Sequence, residues 1–252
     1  MSAIGIIGGS GLARPPELEM SVDLATPYGE ASGPAHRGII AGREVIFLPR
    51  HGTPRRFAPH SVNYRANLWM LKACGARDII ALSCVGAINP RLRPGDLVVP
   101  DQLIDYTYGR LHSLDLEDDA HTGHFDFSEP FTSVLRDTLL ASADGSSSSG
   151  RLVDAGCYGV TQGPRFETAA EIRRLARDGC DIVGMTLMPE ASLARALGLG
   201  YAALCPVVNM AAGCGDGAVE IDALLALMVE FEPELLAVMR RACETLTTNT
   251  KA

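Results

Sequence analysis

Six short stretches of this 252-residue chain follow apolar runs and carry groups that can hold an anion or read a flat polar ring. Gly8-Gly9-Ser10-Gly11 comes after the run at 3–7. A glycine-rich turn there can aim backbone N–H groups at an anion, and Ser10 adds a hydroxyl. The stretch is out of register for a GxGxxG dinucleotide fingerprint, and no GK[ST] follows to make a P-loop. Pro49-Arg50-His51-Gly52 follows the run at 44–48. Arg50 offers a planar fork matched to two phosphate oxygens, and His51 offers a ring N–H. Arg55 and Arg56, close behind, read as solvated loop charges. Ser83-Cys84-Val85-Gly86-Ala87 brings a hydroxyl and backbone N–H groups to another strand exit, as an oxyanion cradle needs.

The other three stretches suit a heterocycle and a sugar. In Thr161-Gln162-Gly163-Pro164-Arg165-Phe166-Glu167-Thr168, Phe166 supplies a flat apolar face and Glu167 a carboxylate that accepts a ring N–H. Thr168 reads separately as a helix N-cap, with Glu171 closing a capping box. In Gly184-Met185-Thr186-Leu187-Met188-Pro189-Glu190, Met185 can line a pocket and Thr186 can bind phosphate. Asn209 ends the very apolar run before Met210-Ala211-Ala212-Gly213, where its amide must find partners for its donors and its acceptor. Each stretch has a plain alternative: tight turn, surface Arg–His pair, strand exit, first-turn carboxylate, core methionine, strand-capping asparagine. Chance accounts for all six together far less well than for any one.

The elements that must position these groups follow from periodicity. Strands are expected at 3–7, 44–48, 78–85, 96–100, 152–160, 181–185 and 201–208. Helices are expected at 62–74 (stopped by Gly75), 130–143, 168–178, 189–198 and from about Ile221, the last kinked or interrupted at Pro233. Strands alternating with helices imply an α/β fold with a largely parallel sheet covered on both faces. Gly145-Ser-Ser-Ser-Ser-Gly150 reads as a flexible surface loop, with a domain boundary there as the alternative. A loop carrying His112, His121 and His124 reads either as solvated or as reaching an adjacent subunit.

Composition narrows the class. An apolar fraction of 47% supports a sizeable core, and a formal charge of −8 disfavours a general nucleic-acid binder. The seven cysteines are odd in number and lack a CxxC, so they read as reduced buried thiols, without a disulfide frame or zinc site. The N-terminus lacks a basic signal-peptide start, and no apolar run reaches the roughly 18 residues that span a bilayer. A cytoplasmic protein with no membrane partner is the expectation.

The segments GIIGGSGL, RHG…HSVNYRANLWMLKACGA, GAINPRLRPGDLVVPDQLIDYT, TQGPRFETAAEI and DIVGMTLMPEASLARALGL resemble the trimeric purine nucleoside and methylthioadenosine phosphorylases. The likeness runs from about residue 4 to 240. It implies a single nucleoside-phosphorylase domain over 1–252, with a mixed twisted central sheet flanked by helices, assembled as a homotrimer. It implies that Ser10, Arg50, His51, Ser83, Cys84 (through its backbone) and Thr186 hold inorganic phosphate as co-substrate. Phe166, Glu167, Met185 and Asn209 would surround base and sugar, and no metal or organic cofactor is implied.

Two positions narrow the substrate. The methylthioadenosine-cleaving members have Asp where this chain has Asn209. An amide can donate to the O6 of a 6-oxopurine and accept from N7–H, whereas a carboxylate suits a 6-amino group. Glu167 can accept the N1–H that hypoxanthine and guanine carry. The expected reaction is phosphorolysis of S-methyl-5'-thioinosine to hypoxanthine and S-methyl-5-thioribose 1-phosphate, in purine salvage. Asn209 would act on the leaving base, and His51 as a phosphate ligand more than a general base. A phosphorylase for inosine and guanosine, or for methylthioadenosine, is the alternative, and a non-catalytic purine-binding protein a remote one. Leu224, Leu225 and Met228 could supply an apolar pocket for the 5'-methylthio group, though core packing explains them equally well.

Overall fold

The computed structural model describes residues 2–9, 12, 14–115, 124–143, 150–215 and 221–249. In chain order the elements are β1 (Ala3–Gly8), β2 (Met20–Val22), β3 (Ala35–Ile40), β4 (Arg43–Pro49), α1 (Tyr64–Ala73), β5 (Ala76–Leu82), β6 (Val85–Ala87), β7 (Leu97–Val99), β8 (Gln102–Asp105), α2 (Ser133–Ala143), β9 (Leu152–Asp154), β10 (Cys157–Val160), α3 (Ala169–Arg177), β11 (Ile182–Gly184), α4 (Leu187–Ala196), β12 (Gly200–Met210) and α5 (Ile221–Asn249).

The strands form one mixed sheet in the order β2-β3-β4-β1-β5-β12-β6-β11-β10-β8, with β7 pairing β12 and β9 off that path. β4, β1, β5 and β12 are mutually parallel, as the strand–helix alternation requires. β2 and β3 add antiparallel strands at one edge, and β11 runs antiparallel to β6.

Alternation along the central strands sorts the core. In β1, Ala3 and Ile7 join one buried cluster, and Ile4 and Ile6 another. β5 divides likewise into Ile79 and Ala81 against Ile80 and Leu82, and β12 into Tyr201 and Ala203 against Ala202 and Leu204. Successive side chains point to opposite faces, so strands covered on both sides read as continuous apolar runs. On one face Leu68, Met70 and Leu71 of α1 meet Leu187, Ala191 and Leu193 of α4. On the other, Leu135 and Leu139 of α2 meet Phe231, Leu235 and Val238 of α5. A smaller cluster, Ile88, Ile172, Leu175 and Val183, seats α3.

Several boundaries differ from the periodicity. The run at 152–160 is two strands, parted by Ala155 and Gly156 at φ 73° and 147°. The run at 78–85 breaks at Ser83 and Cys84, so those residues leave the ladder between β5 and β6. α5 continues through Pro233 without interruption. Cys214 is exposed, unlike the buried Cys180, Cys205 and Cys243. Among the described residues no helix is long and apolar enough to cross a membrane.

Candidate active site

The breaks in the ladder make the site. Arg50 and His51 follow β4, Ser83 and Cys84 follow β5, and Asn209 lies near the end of β12. β12 shifts register between Val207 and Asn209, and such an irregularity re-aims the side chains beside it. Met185 and Thr186 follow β11, which arrives antiparallel to β6. The groups therefore do not all come from one edge of a parallel sheet. They converge even so, because the Thr186 and Ser83 hydroxyls stand 2.9 Å apart.

One cavity of about 430 Å³ is lined by Arg50, His51, Ser83, Cys84 and Thr186 together with Phe166, Glu167, Met185 and Asn209. Ser10 lies outside the described residues, while its neighbour Gly9 lines the cavity. A Cβ on Gly9 would sit 2.4 Å from the Leu82 carbonyl oxygen and 3.0 Å from Arg50 Nη1, so only glycine lets the two strand ends approach this closely. Leu224 and Met228 also line the cavity. His112 and His124 are exposed and are not among the lining residues; His121 lies outside the described residues.

Arg50 is fully buried, and its side fork is turned to a carboxylate of the same chain. Nε and Nη2 donate to Glu190 at 2.7 and 2.9 Å, and Nη1 donates to the Leu82 carbonyl at 2.7 Å. Three of its five N–H groups are thus spent, and what it can offer an anion is one on each terminal nitrogen. Burial alone would lower its pKa, but the Glu190 charge outweighs burial and holds the guanidinium protonated. The Tyr201 hydroxyl completes the pair, donating to Glu190 Oε1 at 2.7 Å.

His51 carries no charge at neutral pH. Burial, then the charges of Arg50 and Arg55, bring its pKa down to about 4. Its Nδ1 lies 2.9 Å from the Phe57 carbonyl oxygen, which can only accept. That fixes the proton on Nδ1 and leaves Nε2 as a lone pair, so the ring N–H expected to face an anion is engaged elsewhere. The Cys84 thiol is pushed up to about 12, chiefly by burial, and is no thiolate nucleophile at neutral pH.

The Ser83 hydroxyl also lies 2.8 Å from the hydroxyl of buried Tyr158. Tyr158 reaches it across Gly184, where a Cβ would fall 1.9 Å from the phenol oxygen. At the ring-reading groups, Asn209 donates one N–H to the Met210 carbonyl at 2.7 Å. Its second N–H and its Oδ1 remain as a donor–acceptor pair. Glu167 accepts the Thr161 hydroxyl on Oε1. Phe166 is 40% exposed, an unusual state for an aromatic ring inside a domain and a natural one at a cavity wall. Thr168 caps α3 with the full capping box to Glu171, so helix capping accounts for that pair without Glu167.

Sequence reasoning missed several groups. Glu190 is fully buried in the apolar run Leu187-Met-Pro-Glu-Ala, and an acid there was the available signal. Tyr158 and Tyr201 lay hidden in apolar strands. Arg110 is buried, pairs with no carboxylate among the described residues, and donates to the backbone carbonyls of Thr161, Gln162, Met185 and Met188, tying together the two segments that carry Glu167 and Thr186. Arg55 and Arg56 are exposed, as expected of solvated loop charges, and they also border the mouth of the cavity.

Comparison with known proteins agrees with this geometry. Residues 3–246 match the model of the phosphorylase superfamily. A probable S-methyl-5'-thioinosine phosphorylase of Pseudomonas syringae pv. tomato is 52% identical over 217 residues, covering 84% of this chain and 87% of that protein. A 6-oxopurine nucleoside phosphorylase of Pyrococcus furiosus is 40% identical over 248 residues, covering 96% and 92%. The crystal structure of a methylthioadenosine phosphorylase from Schistosoma mansoni in complex with adenine superposes with a TM-score of 0.91 at 31% identity, covering 98% of this chain and 93% of that one. With a buried, paired arginine and two hydroxyls sharing one cavity with a ring-reading amide and acid, and with a family match over residues 3–246, this chain belongs to the phosphorylase superfamily.

Proposed function

We propose that this enzyme cleaves S-methyl-5'-thioinosine by phosphorolysis, giving hypoxanthine and S-methyl-5-thioribose 1-phosphate for purine salvage. The observation that carries the reading is the shared cavity: Ser83, Thr186 and the remaining N–H groups of Arg50 border the same space as Asn209 and Glu167. A phosphate oxygen forms the new bond to C1' as the C1'–N9 bond breaks, the bonding electrons leave with the purine, and the proton that hydrogen phosphate gives up is taken up by the departing base. The sugar becomes oxocarbenium-like, and the phosphate beside it stabilises that charge. The protein's work is positioning and charge stabilisation, with no covalent enzyme intermediate.

Asn209 supports a 6-oxopurine because its unspent N–H and Oδ1 match O6 and N7–H of the leaving base. Glu167, held through Oε1 by Thr161, keeps Oε2 to accept N1–H. The names of the relatives in Pseudomonas syringae and Pyrococcus furiosus support the same base class. Leu224 and Met228 give the cavity an apolar wall suited to a methylthio group, which favours that substrate over inosine. The reading includes a cytoplasmic homotrimer and no organic cofactor. The exposed apolar side chains Tyr108, Leu111 and Phe125 support subunit contact.

The test measures free base released from methylthioinosine, inosine, guanosine and methylthioadenosine, with and without phosphate. Fastest phosphate-dependent release from methylthioinosine is expected. Equal release without phosphate would make the enzyme a hydrolase, and faster cleavage of inosine would overturn the 5' assignment.

A further inference from the structure

Ser83 and Thr186 line the cavity, yet both are buried and both hydroxyls have neighbours inside the chain. Ser83 Oγ stands between the Thr186 hydroxyl at 2.9 Å and the Tyr158 phenol at 2.8 Å. Tyr158 is fully buried and is not among the lining residues, so it lies one layer behind the wall. A hydroxyl carries a single proton and can aim it in several directions. The direction of the Ser83 and Thr186 protons decides whether this wall meets an anion with donors or with lone pairs.

The surroundings fix that direction. Among the described residues the phenol's hydrogen-bond partners are these hydroxyls, so they are where its proton goes. Burial raises the phenol pKa, and the proton stays on the tyrosine oxygen at neutral pH. A phenol is also a better donor and a poorer acceptor than an aliphatic alcohol. At the other end, Thr186 occupies the N-cap position of α4, where a threonine oxygen ordinarily accepts a helix N–H, but its side chain makes no such bond. That oxygen is left for Ser83 and the cavity. The room for the phenol comes from Gly184, where any side chain would collide with the tyrosine oxygen.

We propose that Tyr158 is a positioning residue for the phosphate co-substrate: its phenol donates to Ser83 and turns the Ser83–Thr186 pair proton-forward, toward the anion. The proposal rests on the phosphorylase reading above. With the phenol proton on Ser83 Oγ, the Ser83 proton goes on to Thr186 or to the anion itself. In either case at least one hydroxyl proton faces the cavity. Each donor in such a chain is polarised by the one behind it, which strengthens the last bond. The phenol also holds Ser83 in one rotamer, so less ordering remains when the anion arrives.

Tyr158→Phe keeps the ring in the core and removes only the phenol oxygen. It is expected to raise KM for phosphate about 5-fold, the worth of one neutral hydrogen bond. kcat at saturating phosphate should stay within about two-fold of the parent, and KM for the nucleoside should not move. Titration calorimetry with inorganic phosphate alone should show the same loss. A merely structural tyrosine would not reproduce the next result: in a chain already carrying Ser83→Ala, the added Tyr158→Phe should change KM for phosphate by less than about two-fold, because the phenol has lost the hydroxyl it acts through. Tyr106→Phe, which removes a phenol bonded to Asp178 outside the cavity wall, should behave as the parent. Unchanged phosphate affinity in Tyr158→Phe, an equal rise in KM for the nucleoside, or a full 5-fold effect that persists beside Ser83→Ala overturns the assignment of Tyr158. A parent enzyme that neither binds phosphate nor needs it for base release sinks the phosphorylase reading itself.

Discussion

The two sets of polar groups around the cavity are built differently. Around Arg50 every group is buried and already bonded within the chain: Arg50 to Glu190, Glu190 to Tyr201, and Ser83 to both Thr186 and Tyr158. Around the ring-reading groups the side chains are half-buried or exposed, and each keeps unspent capacity: one N–H and Oδ1 on Asn209, one oxygen on Glu167, an open face on Phe166. The first set is part of the protein's stability as well as its site. The second is close to pure recognition, which a small chemical change can retune without unfolding the chain.

The largest effect falls on the buried set. Glu190→Ala leaves the Arg50 charge buried with no counter-ion, and removing one partner of such a pair costs about 3–5 kcal/mol. Glu167→Gln, at the half-exposed wall, should cost less than about 1 kcal/mol. Urea unfolding of the two variants beside the parent measures both. Similar losses would erase the distinction between the two sets.

His51 tests the same division through pH. Its folded pKa of about 4 lies below the ordinary histidine value of 6.5, so the unfolded chain binds the proton more readily between those limits. Stability from this residue is therefore complete above pH 6.5 and is lost as pH falls toward 4. The full window corresponds to roughly 3 kcal/mol. Unfolding free energies of the parent and of His51→Gln, taken at pH 7 and pH 4.5, isolate this contribution. A gap between the two proteins that does not change with pH would show that burial does not set the protonation of His51.

The sequence was legible where chemistry interrupts a pattern. Arg50, Ser83, Thr186 and Asn209 stand out because a polar group follows an apolar run, and a strand end is where the ladder stops using backbone donors. Thr168 and Glu171 are legible because a capping box is local, within four residues. Glu190 and Tyr201 were not, because their meaning lies in partners far along the chain, 140 residues apart in the case of Arg50 and Glu190. A buried acid and an ordinary one are the same letter until the fold brings the arginine. β3 and β8 were missed for a related reason. His36, Arg37 and Gly38, or Gln102 and Asp105, show no apolar rhythm, and neighbouring strands hold them in place through pairing. α5 was expected to be kinked or interrupted at Pro233; it is not interrupted, and Phe231, Leu235, Val238 and Met239, all buried, hold the helix to the sheet on both sides of that residue.

The smallest change in stability should bring the sharpest change in specificity. Asn209→Asp removes the only N–H groups at that position. A carboxylate set against O6 of hypoxanthine places lone pairs against lone pairs, whereas it can accept from the 6-amino group of adenine. One mismatched polar contact of this kind is worth on the order of 1–3 kcal/mol. The ratio of kcat/KM for methylthioinosine to that for methylthioadenosine should therefore fall by about 10- to 100-fold. Both values should also drop together, because the aspartate loses the bond to the Met210 carbonyl and faces that oxygen with a like charge. The ratio, and not either rate alone, carries the information. A common loss with the ratio intact would mean that Asn209 orders the end of β12 and that the base is read elsewhere, with Glu167 as the first group to replace next.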